Sequence, residues 1–354
     1  MNKVKSLYIH IPFCNKICDY CDFTKLQYFR NFAVSYLKAL KDELNSYPIK
    51  GLKTIYVGGG TPTALEDDLF LELLEIIAPY QNGVLEYTFE ANPESLNQTK
   101  VALLKQYGVN RISLGVQSTN DQVLKSINRK HTFQDVKTVI ALLKENGITN
   151  INVDLILGLP HSSKALLRQD LENVTSLDIK HLSCYALTIH PHTVLYNQGY
   201  QEMSDDLMRE LYDEVNDFLK KKNFIHYEVS NWCLAGYQSK HNLTYWRNEQ
   251  YYGVGLGASG YIGNVRYKNT ANLNKYLKGD YVEEKEIVTP VDLRTYQIML
   301  NLRTNEGLDL SFVENKEKEI QRFLKLGYLE IKGNRLIATY SGMMVLDQLV
   351  LDLL

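Results

Sequence analysis

HIPFCNKICDYCDF, residues 10–23, places three cysteines within eight residues. They are Cys14, Cys18 and Cys21, spaced CX3CX2C, and Phe23 stands where a CX3CX2CXC pattern would have its fourth cysteine. Thiolates are soft ligands that suit zinc or iron–sulfur clusters. A structural zinc ion normally takes four protein ligands, and no fourth ligand follows at a suitable spacing. A [4Fe–4S] cluster held by three cysteines instead leaves one iron open for an exchangeable chelating ligand.

The composition is that of an ordinary core-forming protein of a reducing compartment. Of the 354 residues 45% are hydrophobic and 23% are charged, and the net charge of −2 argues against a basic nucleic-acid surface. The N-terminus lacks the apolar core of a signal peptide, and no apolar run reaches membrane-spanning length, so we expect a cytoplasmic protein. Five cysteines, an odd number, argue against a disulfide framework. Cys184 and Cys233 are expected to be buried small hydrophobes.

Short apolar runs alternate with amphipathic stretches over the first 230 residues. Runs rich in β-branched and aromatic residues predict strands at Leu7–Ile11, Thr54–Gly58, Glu86–Ala91, Arg111–Val116, Ile151–Leu157, His181–Leu187 and Ile225–Val229. Helical periodicity predicts helices at Phe32–Asn45, Asp67–Ala78, Asn97–Gln106, Asp121–Ser126, Phe133–Asn146, Ala165–Thr175 and Asp205–Lys222. This repeated strand–helix order predicts an α/β fold with a partial (β/α)6-type TIM barrel, and a doubly wound sheet is the alternative.

The pattern changes after about residue 230, which predicts three domains. A core barrel spans 1–230, a mixed α/β region spans 231–288 and a winged-helix-like module spans 289–354. In the middle region GVGLGASG, residues 253–260, formally fits GxGxxA of a dinucleotide-binding fold. Because no long helix follows it, we predict a tight turn.

The C-terminal module shows a helix–helix–hairpin–helix pattern. Gly333 and Asn334 predict the turn of a wing-like hairpin, and Met343–Leu354 predicts a final apolar helix. Winged modules often bind DNA, but this one lacks a basic recognition face. A DNA-binding regulator is therefore the weakest function considered, and no nucleic-acid partner is expected.

Several polar or glycine-rich motifs follow predicted strands, namely GGGTP, EANPE, GVQS and DLILGLP. The carboxyl ends of parallel barrel strands meet at one face, so these motifs should converge. Glu90, Gln117 and Asp154 supply polar side chains there, and bare backbone at Gly60 allows close approach of a ligand. Arg129 can pair with a carboxylate, because a guanidinium matches that group bidentately.

The CX3CX2C spacing with these motifs resembles the radical S-adenosylmethionine (SAM) superfamily. YIHIPFC, CDYCDF, GGGTPT, EANPE, LGVQS, INRKH and VDLILGLP occur in that order and are similar to its coproporphyrinogen III oxidase-like branch. The resemblance covers nearly the whole chain and implies a [4Fe–4S] cluster on the three cysteines, with SAM as the second cofactor. Positions matching that branch's SAM contacts are Tyr8, Gly60, Thr61, Glu90, Gln117, Arg129 and Asp154.

Two differences between this sequence and the oxidases of that family indicate which sub-branch it resembles. The oxidases carry a fourth cysteine where this sequence has Phe23, and a long segment before the first strand, which here begins about six residues from the start. Both features, together with HNLTYW at residues 241–246, are similar to the HemW-like haem chaperones. That resemblance implies haem as cargo and an acceptor haem protein as partner, including respiratory ones. It leaves open a homodimer and a peripheral membrane location through the acceptor.

His241 is the predicted haem ligand, because imidazole is a common axial ligand. Tyr245 and Trp246 are predicted to cover a porphyrin face. Chemistry alone favours a hydrogen-bonded histidine in a turn, and the HNxxYW match shifts the interpretation towards haem. The alternative function is oxygen-independent decarboxylation of coproporphyrinogen III propionates. Enzymatic activity is therefore left open, although this oxidase activity is disfavoured.

Overall fold

A twelve-stranded sheet organises the computed structural model, which describes residues 4–354. Its strands are β1 Ser6–Ile11, β4 Thr54–Gly59, β5 Glu86–Ala91, β6 Arg111–Gln117, β7 Asn150–Leu157, β8 His181–Ala186, β9 Ile225–Glu228, β10 Asn231–Cys233, β11 Tyr251–Val254, β12 Ser259–Ile262, β13 Val265–Asn269 and β14 Val282–Ile287. A separate short pair, β2 Phe13–Cys14 and β3 Leu26–Gln27, frames the cysteine loop. The strand order is β14-β13-β12-β11-β1-β4-β5-β6-β7-β8-β10-β9.

The six strands β1, β4, β5, β6, β7 and β8 are parallel and neighbour one another in chain order. A doubly wound sheet would reverse its order at a switch point, and this one does not, so that alternative was wrong. The arrangement is the predicted partial barrel. Its helices are α1 Arg30–Ser46, α2 Asp67–Ile77, α3 Gln98–Gln106, α4 Asp121–Ser126, α5 Phe133–Glu145, α6 Lys164–Ser176, α7 Val194–Asn197 and α8 Asp205–Lys221.

The predicted elements of the barrel agree with the structure to within two residues at each end. Local signals account for this agreement. Thr132 and Asp135 form a reciprocal capping box at the start of α5, and the side chains of Ser163 and Ser204 accept backbone N–H groups at the starts of α6 and α8. The strands are buried on both faces, as expected for a parallel sheet covered by helices.

Residues 231–288 pair with both edges of the six-stranded parallel part of the sheet. Strand β10 pairs antiparallel with β8, whereas β11 pairs parallel with β1 and leads into β12–β14. Between them lies α9 Lys240–Trp246, and α10 Leu273–Leu277 precedes β14. Within the stretch 253–260, residues 255–258 form a turn between β11 and β12, as predicted. A Cβ on Gly253 would lie 1.8 Å from the Ser259 carbonyl oxygen, so β11 needs glycine at this position.

The C-terminal module has a three-stranded antiparallel sheet and a hydrophobic core of its own. Its elements are α11 Pro290–Asn301, β15 Leu308–Asp309, α12 Glu317–Lys325, β16 Leu329–Lys332, β17 Arg335–Ala338, α13 Tyr340–Met343 and α14 Leu346–Leu353. The predicted hairpin turn lies between β16 and β17. The two boundaries between the three proposed domains stay predictions, and residues 1–3 of the first domain lie outside the described residues.

The predicted single helix Met343–Leu354 was wrong, because the chain forms α13 and α14 with a break at Val345. Thr339 caps α13, and Gly342 approaches the Tyr328 carbonyl so closely that a Cβ would lie 1.9 Å from its oxygen. This contact fixes α13 against the hairpin, while α14 packs on α11 and α12. Within residues 4–354, no helix combines the length and apolarity needed to cross a membrane.

Candidate functional site

A cavity of about 430 Å³ lies at the carboxyl ends of the parallel strands. Its size is typical of a small-molecule site. It brings together the three predicted cluster ligands, Cys14, Cys18 and Cys21. Six of the seven predicted SAM-contacting residues also line it, namely Gly60, Thr61, Glu90, Gln117, Arg129 and Asp154. The convergence expected from motifs at strand ends is therefore present, and we call this space the first cavity.

The cysteines are held by a loop that is closed at its base. The amide of Leu26 donates to the Pro12 carbonyl at 2.7 Å, and the amide of Tyr28 donates to the Cys14 carbonyl at 2.9 Å. Cys14 is buried at the end of β2, while Cys18 and Cys21 are half-buried. The loop thus presents three free thiols to the same cavity. Phe23, which follows the last cysteine by two residues, is exposed and also lines this cavity.

The thiol environment suits a bound cationic group. Burial raises the pKa of Cys14 to about 11 and also raises the pKa of Cys21. These thiols hold their protons until a metal stabilises the thiolates. In the part of the chain that the structure describes, no three His, Cys, Asp or Glu side chains converge on one ion-sized position. In a [4Fe–4S] cluster each thiolate binds a different iron, so the thiols do not have to converge on one point. The three cysteines therefore suit such a cluster better than they suit a single zinc ion.

Glu90 is positioned by Tyr56 and the glycine run. The Tyr56 hydroxyl donates to Glu90 Oε1 at 2.7 Å, and the Gly59 amide donates to Oε2 at 2.9 Å. A Cβ on Gly58 would lie 2.6 Å from the Glu90 carboxyl, so a side chain there would displace it. Burial raises the pKa of Glu90 to about 7.

Asp154 is held by a buried network inside the barrel. Ser113 Oγ donates to Asp154 Oδ2 at 3.0 Å, and Asn152 Nδ2 donates to Oδ1 at 2.8 Å. Asn152 Oδ1 in turn contacts His181 Nδ1 at 2.6 Å and accepts from Ser183. Burial raises the pKa of Asp154. The carboxyl therefore has a fixed orientation towards the first cavity.

Gln117 adopts a left-handed backbone with φ of 67°, which is strained for a residue other than glycine. Asp170 on α6 fixes the residues that follow. It accepts from Ser118 Oγ at 2.9 Å, from the Thr119 amide at 2.7 Å and from Thr119 Oγ1 at 2.6 Å. These bonds hold the chain that follows Gln117 at the end of β6.

Arg129 lies in the first cavity close to the cysteine loop and is 8% exposed. A Cβ on Gly115 would lie 2.9 Å from Arg129 Nη2, so glycine makes room for the guanidinium. The Nε atom of Arg129 has no protein partner although it is buried. A buried unpaired donor of this kind suits an anionic ligand group.

A second cavity of about 440 Å³ adjoins the first. Tyr56, Glu90 and Tyr185 line both cavities, and Tyr245 and Trp246 of α9 line only the second of the two. Tyr8, predicted to contact SAM, also lines the second cavity and not the first. Its hydroxyl bonds to His10 Nδ1 at 2.9 Å. Of the other predicted SAM residues, Tyr8 shares a cavity only with Glu90.

His241 does not lie in an open position from which it could bind a haem iron. The ring is fully buried, with Nδ1 2.8 Å from Thr54 Oγ1 and Nε2 2.8 Å from the Tyr245 hydroxyl. Burial, followed by the charge of Arg111, lowers the pKa of His241 to about 3. The predicted ligand role is not supported in this conformation, because both nitrogens are engaged and the ring lines neither cavity. His241 instead orients Tyr245.

Sequence reasoning missed several residues that line these cavities, among them Tyr56, Asn92, Ser113 and Tyr185. Asn92 lies inside the recognised EANPE motif and donates to Thr61 Oγ1 at 3.0 Å, so the motif itself could have revealed it. Tyr56 and Ser113 lie within strands that are buried on both faces. Such strands show no alternation of polar and apolar residues, so the sequence does not indicate which of their side chains point into the barrel.

Comparisons with known proteins agree with this geometry. Residues 8–173 match the Radical SAM superfamily. "Heme chaperone HemW" of Lactococcus lactis is 40% identical over 327 residues, covering 90% of this chain and 86% of the relative. The chain belongs to the HemW family. The HemW protein of Bacillus subtilis is 39% identical over 86% of this chain and 85% of that one.

Among solved structures, the radical SAM enzyme coproporphyrinogen III oxidase (HemN) from Escherichia coli has a TM-score of 0.86. It is 21% identical and the match covers 99% of this chain and 90% of that chain. At this identity the likeness shows the fold alone. It confirms the predicted α/β radical SAM architecture of this HemW family member.

Proposed function

We propose that the first cavity holds a [4Fe–4S] cluster and SAM. Cys14, Cys18 and Cys21 would be the cluster ligands, and Phe23 leaves the cavity without a fourth thiol. When bound, such a cluster supplies an iron site that is open to the amino and carboxylate groups of SAM. The support is the meeting of three free thiols, a buried unpaired guanidinium nitrogen and two half-buried carboxyls in one cavity.

The surrounding side chains would bind and orient SAM. Arg129 would pair with its carboxylate, since a guanidinium can donate two parallel hydrogen bonds to that group. Asp154, fixed by Ser113 and Asn152, would accept from ribose hydroxyls. Glu90 would accept from an N–H of the amino group, for which an ionised carboxylate is a stronger acceptor than a neutral carboxyl.

The second cavity is the proposed haem site. The observation that carries the proposal is that this cavity adjoins the first and is lined by Tyr245 and Trp246, the aromatic residues of the HNxxYW motif. Aromatic rings provide apolar faces for a flat macrocycle. Relatives across the family are named haem chaperones, and we propose the same cargo here, with release to an acceptor haem protein.

The compartment follows from the proposed cofactor. A cluster on free thiols needs a reducing environment, which favours the cytoplasm. Contact with a membrane would come through the acceptor protein.

The contiguity of the two cavities also keeps the oxidase as a second candidate. A porphyrinogen in the second cavity would lie next to the SAM site across Tyr56 and Glu90. Two assays on the reconstituted protein separate the functions. The chaperone proposal predicts saturable haem binding and no conversion of coproporphyrinogen III. Turnover on the order of one per second, within the usual range for enzymes, would overturn it in favour of the oxidase.

A further inference from the structure

The second cavity has a charged feature that the aromatic residues do not explain. Among its lining residues within 4–354, Arg303 has the one cationic side chain. Two carboxyls, Glu90 and Glu228, also line the cavity, and burial raises the pKa of both. The cavity is therefore less negative than its composition suggests, and its charge is concentrated at Arg303.

The backbone of Arg303 is fixed to the barrel. The Val229 amide donates to the Arg303 carbonyl at 3.1 Å, and Thr304 forms a β-bridge with Glu228. Asn301 Nδ2 donates to the Trp246 carbonyl at 2.8 Å. These bonds hold the loop after α11 against both β9 and α9, so Arg303 and Trp246 keep a defined spacing across the same cavity.

The guanidinium already contacts a carboxylate that is easily exchanged. Arg303 Nη2 lies 3.2 Å from Asp347 Oδ1 at the start of α14. The Asp347 side chain is 89% exposed, whereas that of Arg303 is 27% exposed. An ion pair with so exposed a partner is weak. A second carboxylate entering the cavity can therefore replace Asp347 at little cost.

We propose that Arg303 binds a propionate carboxylate of a tetrapyrrole whose ring contacts Trp246. When the cavity is empty, the Asp347 carboxylate pairs with the Arg303 guanidinium instead. This inference rests on the proposed function and adds the recognition of the propionate edge. It makes the C-terminal module part of the cargo site, because Asp347 belongs to α14 and Arg303 follows α11.

The test compares haem with haem dimethyl ester, in which the propionates carry no charge. Wild-type protein should bind the ester at least tenfold more weakly than haem. Arg303→Gln should weaken haem binding by at least tenfold, yet bind haem and ester within about threefold of each other. Arg303→Lys should fall between, because it keeps the charge and loses the bidentate geometry.

Two further variants keep the result interpretable. Asp347→Asn, at an exposed position, should strengthen haem binding two- to fivefold because the competing carboxylate is gone. Arg247→Gln is the matched control, since Arg247 neighbours Trp246 but pairs with Glu306 and does not line the second cavity. Its haem affinity should stay within twofold of wild type.

The inference is overturned if Arg303→Gln keeps the full difference between haem and ester, or if Asp347→Asn leaves haem affinity unchanged. It also fails if Arg303→Gln and Arg247→Gln behave alike. A wild-type protein that binds no haem contradicts the proposed function as well. If wild type does bind haem, the variant results named above contradict only the role of Arg303 and leave the proposed function standing.

Discussion

The Tyr56 hydroxyl donates a 2.7 Å hydrogen bond to Glu90 Oε1, and this pair forms part of the wall between the two cavities. The other oxygen of Glu90 accepts from the Gly59 amide, so the carboxyl is fixed by one strand neighbour and by the glycine run. A ligand in either cavity will therefore meet the same carboxyl. Its protonation should influence both sites.

The first prediction concerns the pH dependence of SAM binding. Because the pKa of Glu90 is about 7, the carboxyl is mostly neutral at pH 6 and mostly ionised at pH 8. An ionised carboxylate accepts from the amino N–H groups more strongly than a neutral carboxyl does, so SAM affinity should rise by up to roughly tenfold over this range. Calorimetry on the cluster-containing protein measures it. Glu90→Gln should bind more weakly and lose the rise, whereas Asp154→Asn should keep it. A flat wild-type profile would remove Glu90 from the amino site.

The second prediction concerns Asp154. Its two oxygens are held by Ser113 and Asn152, so it is preorganised to accept from ribose hydroxyls. Asp154→Ala should weaken SAM binding by about 1.5–3 kcal/mol, which is typical of a hydrogen bond to a charged group. Cluster absorbance should persist in this variant, which separates SAM binding from cluster loss. Unchanged SAM affinity would exclude Asp154 from the site.

The third prediction concerns the cluster ligands. Cys18→Ala should abolish the oxygen-sensitive [4Fe–4S] absorbance, since only two of the three thiolates remain. Cys184→Ala is the matched control, because Cys184 is buried on β8 away from the loop and should leave iron and sulfide contents unchanged. Iron and sulfide that survive replacement of all three loop cysteines would contradict the assignment, as would stoichiometric zinc.

The fourth prediction concerns stability. Burial raises the pKa of Glu228 from 4.5 to about 8, so between these values the folded state keeps a proton that the unfolded chain releases. Stability should therefore fall as pH rises through this window. Glu228→Gln keeps an acceptor for the Asn231 amide and should be more stable than wild type by about 1–3 kcal/mol at pH 8.

Urea unfolding at pH 5 and pH 8 measures this difference. The gain in Glu228→Gln should shrink towards pH 5, where the wild-type carboxyl is neutral in the folded state. Glu284→Gln, on the exposed face of β14, should show no comparable pH-dependent gain. A variant less stable than wild type at pH 8 would mean that Glu228 is ionised in the folded protein.

The barrel and the first cavity could be predicted because their signals are local. Each parallel strand is a compact apolar run, and the motifs after the strands meet because parallel strands share a carboxyl edge. The pairing of residues 231–288 with both edges of the parallel part of the sheet could not be predicted, since it depends on contacts distant in sequence. His241 shows the same limit, because its partner Thr54 lies 187 residues away.

The proposed haem site is tested best by titrating the cluster-containing protein with haem and following the Soret band, in wild type and in Trp246→Leu. Trp246 is half-buried and lines the second cavity. The other tryptophan, Trp232, is fully buried in the sheet and does not line that cavity. Wild type should bind haem saturably and Trp246→Leu should bind it at least tenfold more weakly, with cluster absorbance unchanged in both. Equal haem affinity of the two proteins, or no saturable binding by wild type, would contradict the assignment of the second cavity.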